Sequence, residues 1–208
     1  KIWISNAGYE KAKASIEESL KKLQTDYIDL LLVHQPFGDY YGTYRAMEEA
    51  YKAGQVRAIG VSNFSPNRFI DLQYFVEIKP AINQIETHVF YQQKEAKKYL
   101  EKYNCQIESW GPFAEGKNDF FNTPLLKEIG EKYGKSVAQV ALRFLLQSNV
   151  VVIPKSVRKE RMQENFDIFD FELTEDEMKS IEGLDQGSTL FHNHQEPETA
   201  ERFLSFLS

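Results

Sequence analysis

Short apolar runs begin near residues 28, 56, 81, 106 and 150, and between them lie stretches whose apolar residues recur at helical spacing. Each interval holds one strand plus one crossover helix, or a little more. Successive βα units of this kind build a parallel sheet, so the chain is an α/β protein before any motif is considered. Two architectures satisfy the pattern, a doubly wound open sheet and a (β/α)8 barrel. The open nucleotide-binding sheet normally announces itself with a G-x-G-x-x-G turn after its first strand. No such turn occurs here, and the barrel is favoured.

The units can be read one by one. Lys1 to Ile4 reads as the end of a strand, and a helix follows with Ala12, Ile16, Leu20 and Leu23 on one face. Ile28–Val33 reads as a buried strand, Tyr44–Tyr51 as a helix ended by Gly54, and Val56–Val61 as the next strand. Ser65-Pro66 opens a helix through about Phe75 with an N-cap and a first-turn proline. Then come strand Ala81–Ile85, helix Lys94–Tyr103, strand Gln106–Trp110 and a Gly/Asn/Asp-containing loop over Glu115–Asn122. Helices follow at Pro124–Lys132 and Val137–Leu146, then strand Val150–Ile153. Ser136 with Gln139, and Thr174 with Glu177, have the spacing of capping boxes. A terminal helix is expected over Glu196–Leu207. No linker interrupts the series, which predicts one domain over residues 1–208.

Composition narrows the function classes. Thirty-one acidic against 25 basic residues and a net charge of −6 argue against a nucleic-acid partner. No apolar run reaches the roughly 18 residues of a membrane span, and no signal peptide is visible. Cys105 is the sole cysteine. That excludes an internal disulfide and a cysteine-rich zinc site, and it fits a reducing, cytoplasmic setting. No metal-ligand spacing links His88, His192 and His194.

In a barrel the working residues stand at the C-terminal ends of the strands. Those positions hold Lys1, His34, Ser62-Asn63, Gln84, Trp110 and Lys155-Ser156. Each has an ordinary explanation: a histidine after a strand usually satisfies the rim, Ser-Asn suits a turn, and a lysine defaults to solvent. Their conjunction on one rim suits a pocket for a large polar cofactor.

Three segments carry a resemblance. Asp26 through Pro36, Arg57 through Phe64, and Ile153-Pro154-Lys155-Ser156 followed by Arg161 and Glu164-Asn165 are similar to signatures of the aldo-keto reductases. The His34–Gly38 segment and the Phe191–Pro197 tail most resemble bacterial 2,5-diketo-gluconate reductase-type members.

The resemblance implies hydride transfer from NADPH to aldehydes or ketones. By it, Ser62, Asn63 and Gln84 hold the nicotinamide carboxamide and Trp110 stacks on the ring. Gly111, Pro112 and Phe113 pass the pyrophosphate. Lys155, Ser156, Val157 and Arg161 hold the 2′-phosphate end, where two cations and a hydroxyl suit a dianion. Glu164 and Asn165 contact the adenine, and Trp3, Phe37 and Phe191 wall the substrate pocket.

The family's proton-transfer set is Asp, Tyr, Lys and His, of which Lys1 and His34 match two. Five strands and a stub are legible where a closed barrel has eight. The first two strands and most of the third are therefore expected upstream of Lys1, together with the Asp and Tyr. The expected protein is a monomer acting on small carbonyls, dicarbonyls or keto-sugars. One alternative is a truncated or non-catalytic NADP-binding protein of the same fold. Another is a barrel aldolase using Lys155, which the Arg161–Asn165 spacing disfavours.

Overall fold

The computed structural model describes residues 1–207; residue 208, the last of the expected domain, lies outside them. The described chain forms two compact units: Lys1–Gln84 with Glu95–Gln106 and His192 onward, and Ile85–Lys94 with Ile107–Phe191.

The first unit contains α1 (Tyr9–Leu23), β1 (Leu31–Val33), α2 (Tyr40–Lys52), β2 (Ile59–Ser62), α3 (Pro66–Phe75), most of β3 (Ile82–Glu86) and α4 (Lys94–Lys102). β1 lies parallel to β2 with Leu32 opposite Gly60, and β2 lies parallel to β3 with Ser62 opposite Gln84. All of β1 and β2 is buried, as strands covered on both faces must be. Gly60 has a steric role: a Cβ there would stand 2.4 Å from the Ile82 carbonyl oxygen and 2.9 Å from Leu32 Cδ2. Only glycine lets these backbones approach so closely.

Three expected strands are shorter than read: the one expected over Val150–Ile153 covers only Val151–Val152, and two others start late. Ile28 and Val56 meet in an isolated bridge, and regular pairing starts only at Leu31 and Ile59. Between them Asp29 and Arg57 form an exposed ion pair at 2.9 Å, which keeps that part of the run in solvent. The opening stub is likewise a single bridge, Ile2 to Val33, followed by a 3-10 turn over Ile4–Asn6. In contrast, α2 begins four residues earlier than its apolar spacing suggested, because the Asp39 carboxyl accepts the Gly42 N–H and caps it.

The second unit contains all but the first residue of β4 (Gln106–Trp110), α5 (Pro124–Tyr133), α6 (Val137–Gln147), β5 (Val151–Val152), α7 (Lys159–Phe166) and α8 (Glu175–Glu182). β4 and β5 are parallel, with Glu108 opposite Val151. Both capping boxes form as read, at Ser136/Gln139 and Thr174/Glu177. The expected loop before α5 is wound into 3-10 turns over Ala114–Asn122, interrupted by left-handed residues such as Glu115 and Asn118. Helix α7 was not anticipated. It buries none of its residues, so it carries no apolar stripe to read. The chain ends in α9 (Pro197–Leu204), part of the first unit, and a 3-10 turn over Ser205–Leu207.

Candidate active site

In the first unit the ends of β1, β2 and β3 bring Lys1, His34, Ser62, Asn63 and Gln84 into one hydrogen-bonded group. Lys1 Nζ donates to Gln84 Oε1 at 2.5 Å. The Ser62 hydroxyl, fully buried, donates to the Gln84 backbone oxygen at 2.9 Å. Asn63 stands in the left-handed region at φ 63°, one of the few non-glycine types that tolerates it. That backbone turns its side chain toward β1, where Nδ2 donates to the His34 carbonyl at 3.2 Å and to Ser62 Oγ at 3.2 Å.

His34 is fixed by its backbone N–H, which donates to the Ile2 carbonyl at 3.0 Å. Its ring meets Trp3 edge-on, with centroids 4.8 Å apart. Burial first, and the Lys1 charge second, hold the imidazole pKa down to about 4. At neutral pH it is therefore an uncharged ring with one N–H to donate. The same burial logic silences Cys105, whose thiol is pushed up to about 12 and is no nucleophile at neutral pH.

The sequence reading placed Trp3 and Phe37 beside this group but missed what they pack on. Phe203 of α9 stacks on Phe37 at 5.7 Å and on His194 at 5.5 Å, and both Phe203 and Phe206 approach Trp3 within 6.2 Å. Their i, i+3 spacing at the end of the chain was the available signal.

The second unit holds the remaining candidates. Trp110 ends β4, Gly111 follows at φ 65°, and Phe191 meets Trp110 edge-on at 5.2 Å. Beyond them lies a cavity of about 680 Å³ lined by Phe113, Lys155, Ser156, Arg161, Glu164 and Asn165, with the α5–α6 corner opposite. Val157, 81% exposed, is not part of its wall. Among the described residues, the other cations of this cavity are engaged: Lys135 pairs with Asp167 and Asp170 at 2.8 Å, and Lys127 donates to Asn122 at 2.9 Å. Lys155 and Arg161 have no hydrogen bond or ion pair among the described residues. Two cations without a partner among the described residues, and a hydroxyl on the same wall, have the charge and donors that suit a multiply charged anion.

The Aldo/keto reductase family profile matches residues 1–186. The chain belongs to this family. It is 45% identical over 197 residues to glyoxal reductase of Bacillus subtilis (strain 168), covering 94% of this chain and 71% of that protein. It is 40% identical over 193 residues to methylglyoxal reductase DkgA of Escherichia coli (strain K12), covering 91% and 70%. The structure of a Gox0644 mutant in complex with NADPH superimposes with a TM-score of 0.88 at 35% identity, covering 93% of this chain and 72% of that one. Against the curated relatives B. subtilis glyoxal reductase and YtbE, the aldo/keto reductase chain spans 71% and 66% of their lengths. No helix among the described residues is long and apolar enough to cross a membrane. No group of three or more His, Cys, Asp or Glu among them could hold a metal ion.

Proposed function

We propose that residues 1–208 work as one domain, the larger part of a (β/α)8 barrel that reduces small aldehydes, ketones, dicarbonyls or keto-sugars to alcohols with NADPH. What carries the reading is the cavity wall on which Lys155 and Arg161 stand without an anionic partner beside Ser156. A 2′-phosphate is the group that NADPH has and NADH lacks, and it suits those three side chains. Glu164 and Asn165 would take the adenine end; Gly111, Pro112 and Phe113 would line the pyrophosphate. Trp110 offers an indole face to the nicotinamide, and Ser62, Asn63 and Gln84 supply the donors and acceptors for its carboxamide. When bound, NADPH supplies the hydride.

The protein's own residues do the rest. His34, neutral at working pH, donates a hydrogen bond that orients the substrate carbonyl. Lys1 holds positive charge beside the developing alkoxide and lowers the pKa of the tyrosine that the family resemblance assigns as proton donor. Trp3 and Phe37 keep the reacting carbonyl out of water. The same reading makes the protein a cytoplasmic monomer.

The test is loss of nicotinamide absorbance with glyoxal, methylglyoxal and several larger aldehydes. Turnover with NADPH and little with NADH is expected. No NADPH consumption with any of them overturns the reading. Quenching of tryptophan fluorescence by NADPH without turnover would instead favour a non-catalytic binding protein. An intact mass checks whether the protein carries two further βα units, on the scale of ~30 residues or more each.

A further inference from the structure

Glu86 closes β3 with only 4% of its surface exposed, an expensive place for a carboxyl. Three donors face it. The Leu190 N–H donates to Oε1 at 2.9 Å, His88 Nε2 stands 2.9 Å from the same oxygen, and the Thr189 hydroxyl donates to Oε2. Thr189 Oγ in turn accepts the Phe191 N–H at 2.9 Å.

Residues 189–191 belong to no helix or strand, so no ladder satisfies their backbone. Side chains do it instead: Glu86, a hundred residues upstream, accepts the Leu190 N–H and the Thr189 hydroxyl, and that hydroxyl oxygen accepts the Phe191 N–H. What those bonds position is the Phe191 ring. It packs edge-on against Trp110 at 5.2 Å and lies 6.4 Å from His88. Lys117 approaches the ring at 4.6 Å while donating to the Leu190 carbonyl at 2.9 Å. Gly111 passes beside the same ring, 3.8 Å from where its Cβ would be.

We propose that Glu86 is a positioning residue for carbonyl substrates: it fastens Thr189 and Leu190 so that Phe191 stands as a rigid wall beside Trp110. The inference rests on the reading that Trp110 and Phe191 line the reductase site. Glu86 touches neither substrate nor NADPH and acts only through the 189–191 segment. An apolar residue would serve β3 equally well for burial; the carboxyl is explained by the donors it receives.

The experiment uses wild type, Glu86→Ala and Thr189→Val, the latter keeping the buried carboxyl while removing the hydroxyl that links it to Phe191. Amide hydrogen exchange without any ligand is read at Leu190 and Phe191, with α5 and α6 as internal controls. NADPH affinity, KM for methylglyoxal and kcat are measured on the same preparations. Exchange at Leu190 should quicken about tenfold or more in Glu86→Ala, the scale of one lost hydrogen bond to a charged group, and exchange at Phe191 should quicken in Thr189→Val, which removes the hydroxyl accepting that N–H, with the controls unmoved. KM should rise about tenfold, while kcat and NADPH affinity stay within about threefold.

Unchanged exchange in Thr189→Val overturns the fastening even if Glu86→Ala fails to fold. Exchange that quickens equally in α5 and α6 overturns it in favour of a general structural role. An unmoved KM in an active wild-type background overturns the substrate wall. If wild type itself consumes no NADPH, the reductase reading fails and the wall fails with it, while the exchange data still decide whether Glu86 holds the segment.

Discussion

The two groups of candidate residues differ in how their polar atoms are spent. At the ends of β1, β2 and β3 the groups are bonded to one another: Lys1 to Gln84, Ser62 to the Gln84 backbone, Asn63 to His34 and Ser62. On the cavity wall of the second unit Lys155 and Arg161 have charge and no partner among the described residues. A group that must present one donor at a fixed point gains from being held before the substrate arrives. A group that must grip a dianion gains from leaving its cations unspent, because a pre-existing ion pair would have to be broken first.

The largest expected effect comes from breaking the first arrangement. Lys1→Met should lower kcat by about 10²- to 10⁴-fold while NADPH affinity, read by tryptophan quenching, stays within a few-fold. His34 sharpens the same point through pH. Its pKa lies below the ordinary 6.5, at about 4, so it contributes no inflection to kcat between pH 6 and 8. The sign of its effect on stability follows from linkage. Below pH 6.5 the unfolded chain binds a proton that the folded one refuses, so stability falls as pH drops from 6.5 toward 4. Urea titrations of wild type and His34→Asn across that window check this: the pH dependence should be shallower in the variant.

Breaking the second arrangement should be milder and should leave turnover alone. Lys155→Ala combined with Arg161→Ala is expected to weaken NADPH binding by about 10- to 100-fold with NADH affinity almost unchanged, since charge-assisted bonds are worth roughly 1.5–3 kcal/mol each before screening. Wild-type NADPH affinity should fall with added salt, and that of the double variant should fall less. A double variant that lost NADH and NADPH equally would place the phosphate elsewhere.

Two smaller changes probe the scaffolds under each group. Gly60→Ala forces a methyl against the Ile82 carbonyl and should cost about 1–3 kcal/mol, seen as a lower unfolding midpoint. Ser136 both lines the cavity and caps α6 by accepting the Gln139 N–H. Ser136→Ala should cost about 1 kcal/mol and leave kcat unchanged.

Much of this was legible from the chain alone, for identifiable reasons. Strand β4 agrees residue for residue with its apolar run, and both capping boxes form where the spacing placed them. These features depend on groups a few residues apart, so local composition carries them. Helix α7 escaped because Met162 and Phe166 remain exposed and nothing on it is buried. The strand starts were misjudged because Asp29 and Arg57, 28 residues apart, stand exposed as an ion pair between the Ile28–Val56 bridge and the regular ladder.

By itself, the sequence determined the alternation of strands and helices, the family, and the identities of Lys1, His34, Asn63 and Arg161 as candidates. Those are matters of periodicity and residue type. Only the tertiary structure decided what each candidate touches: that Lys1 donates to Gln84 while Lys155 has no hydrogen bond or ion pair among the described residues. It also decided that one buried carboxyl at position 86 ties down a segment more than a hundred residues away. Hydrogen bonds between residues so distant leave no period in the chain; they exist only once the intervening elements have packed.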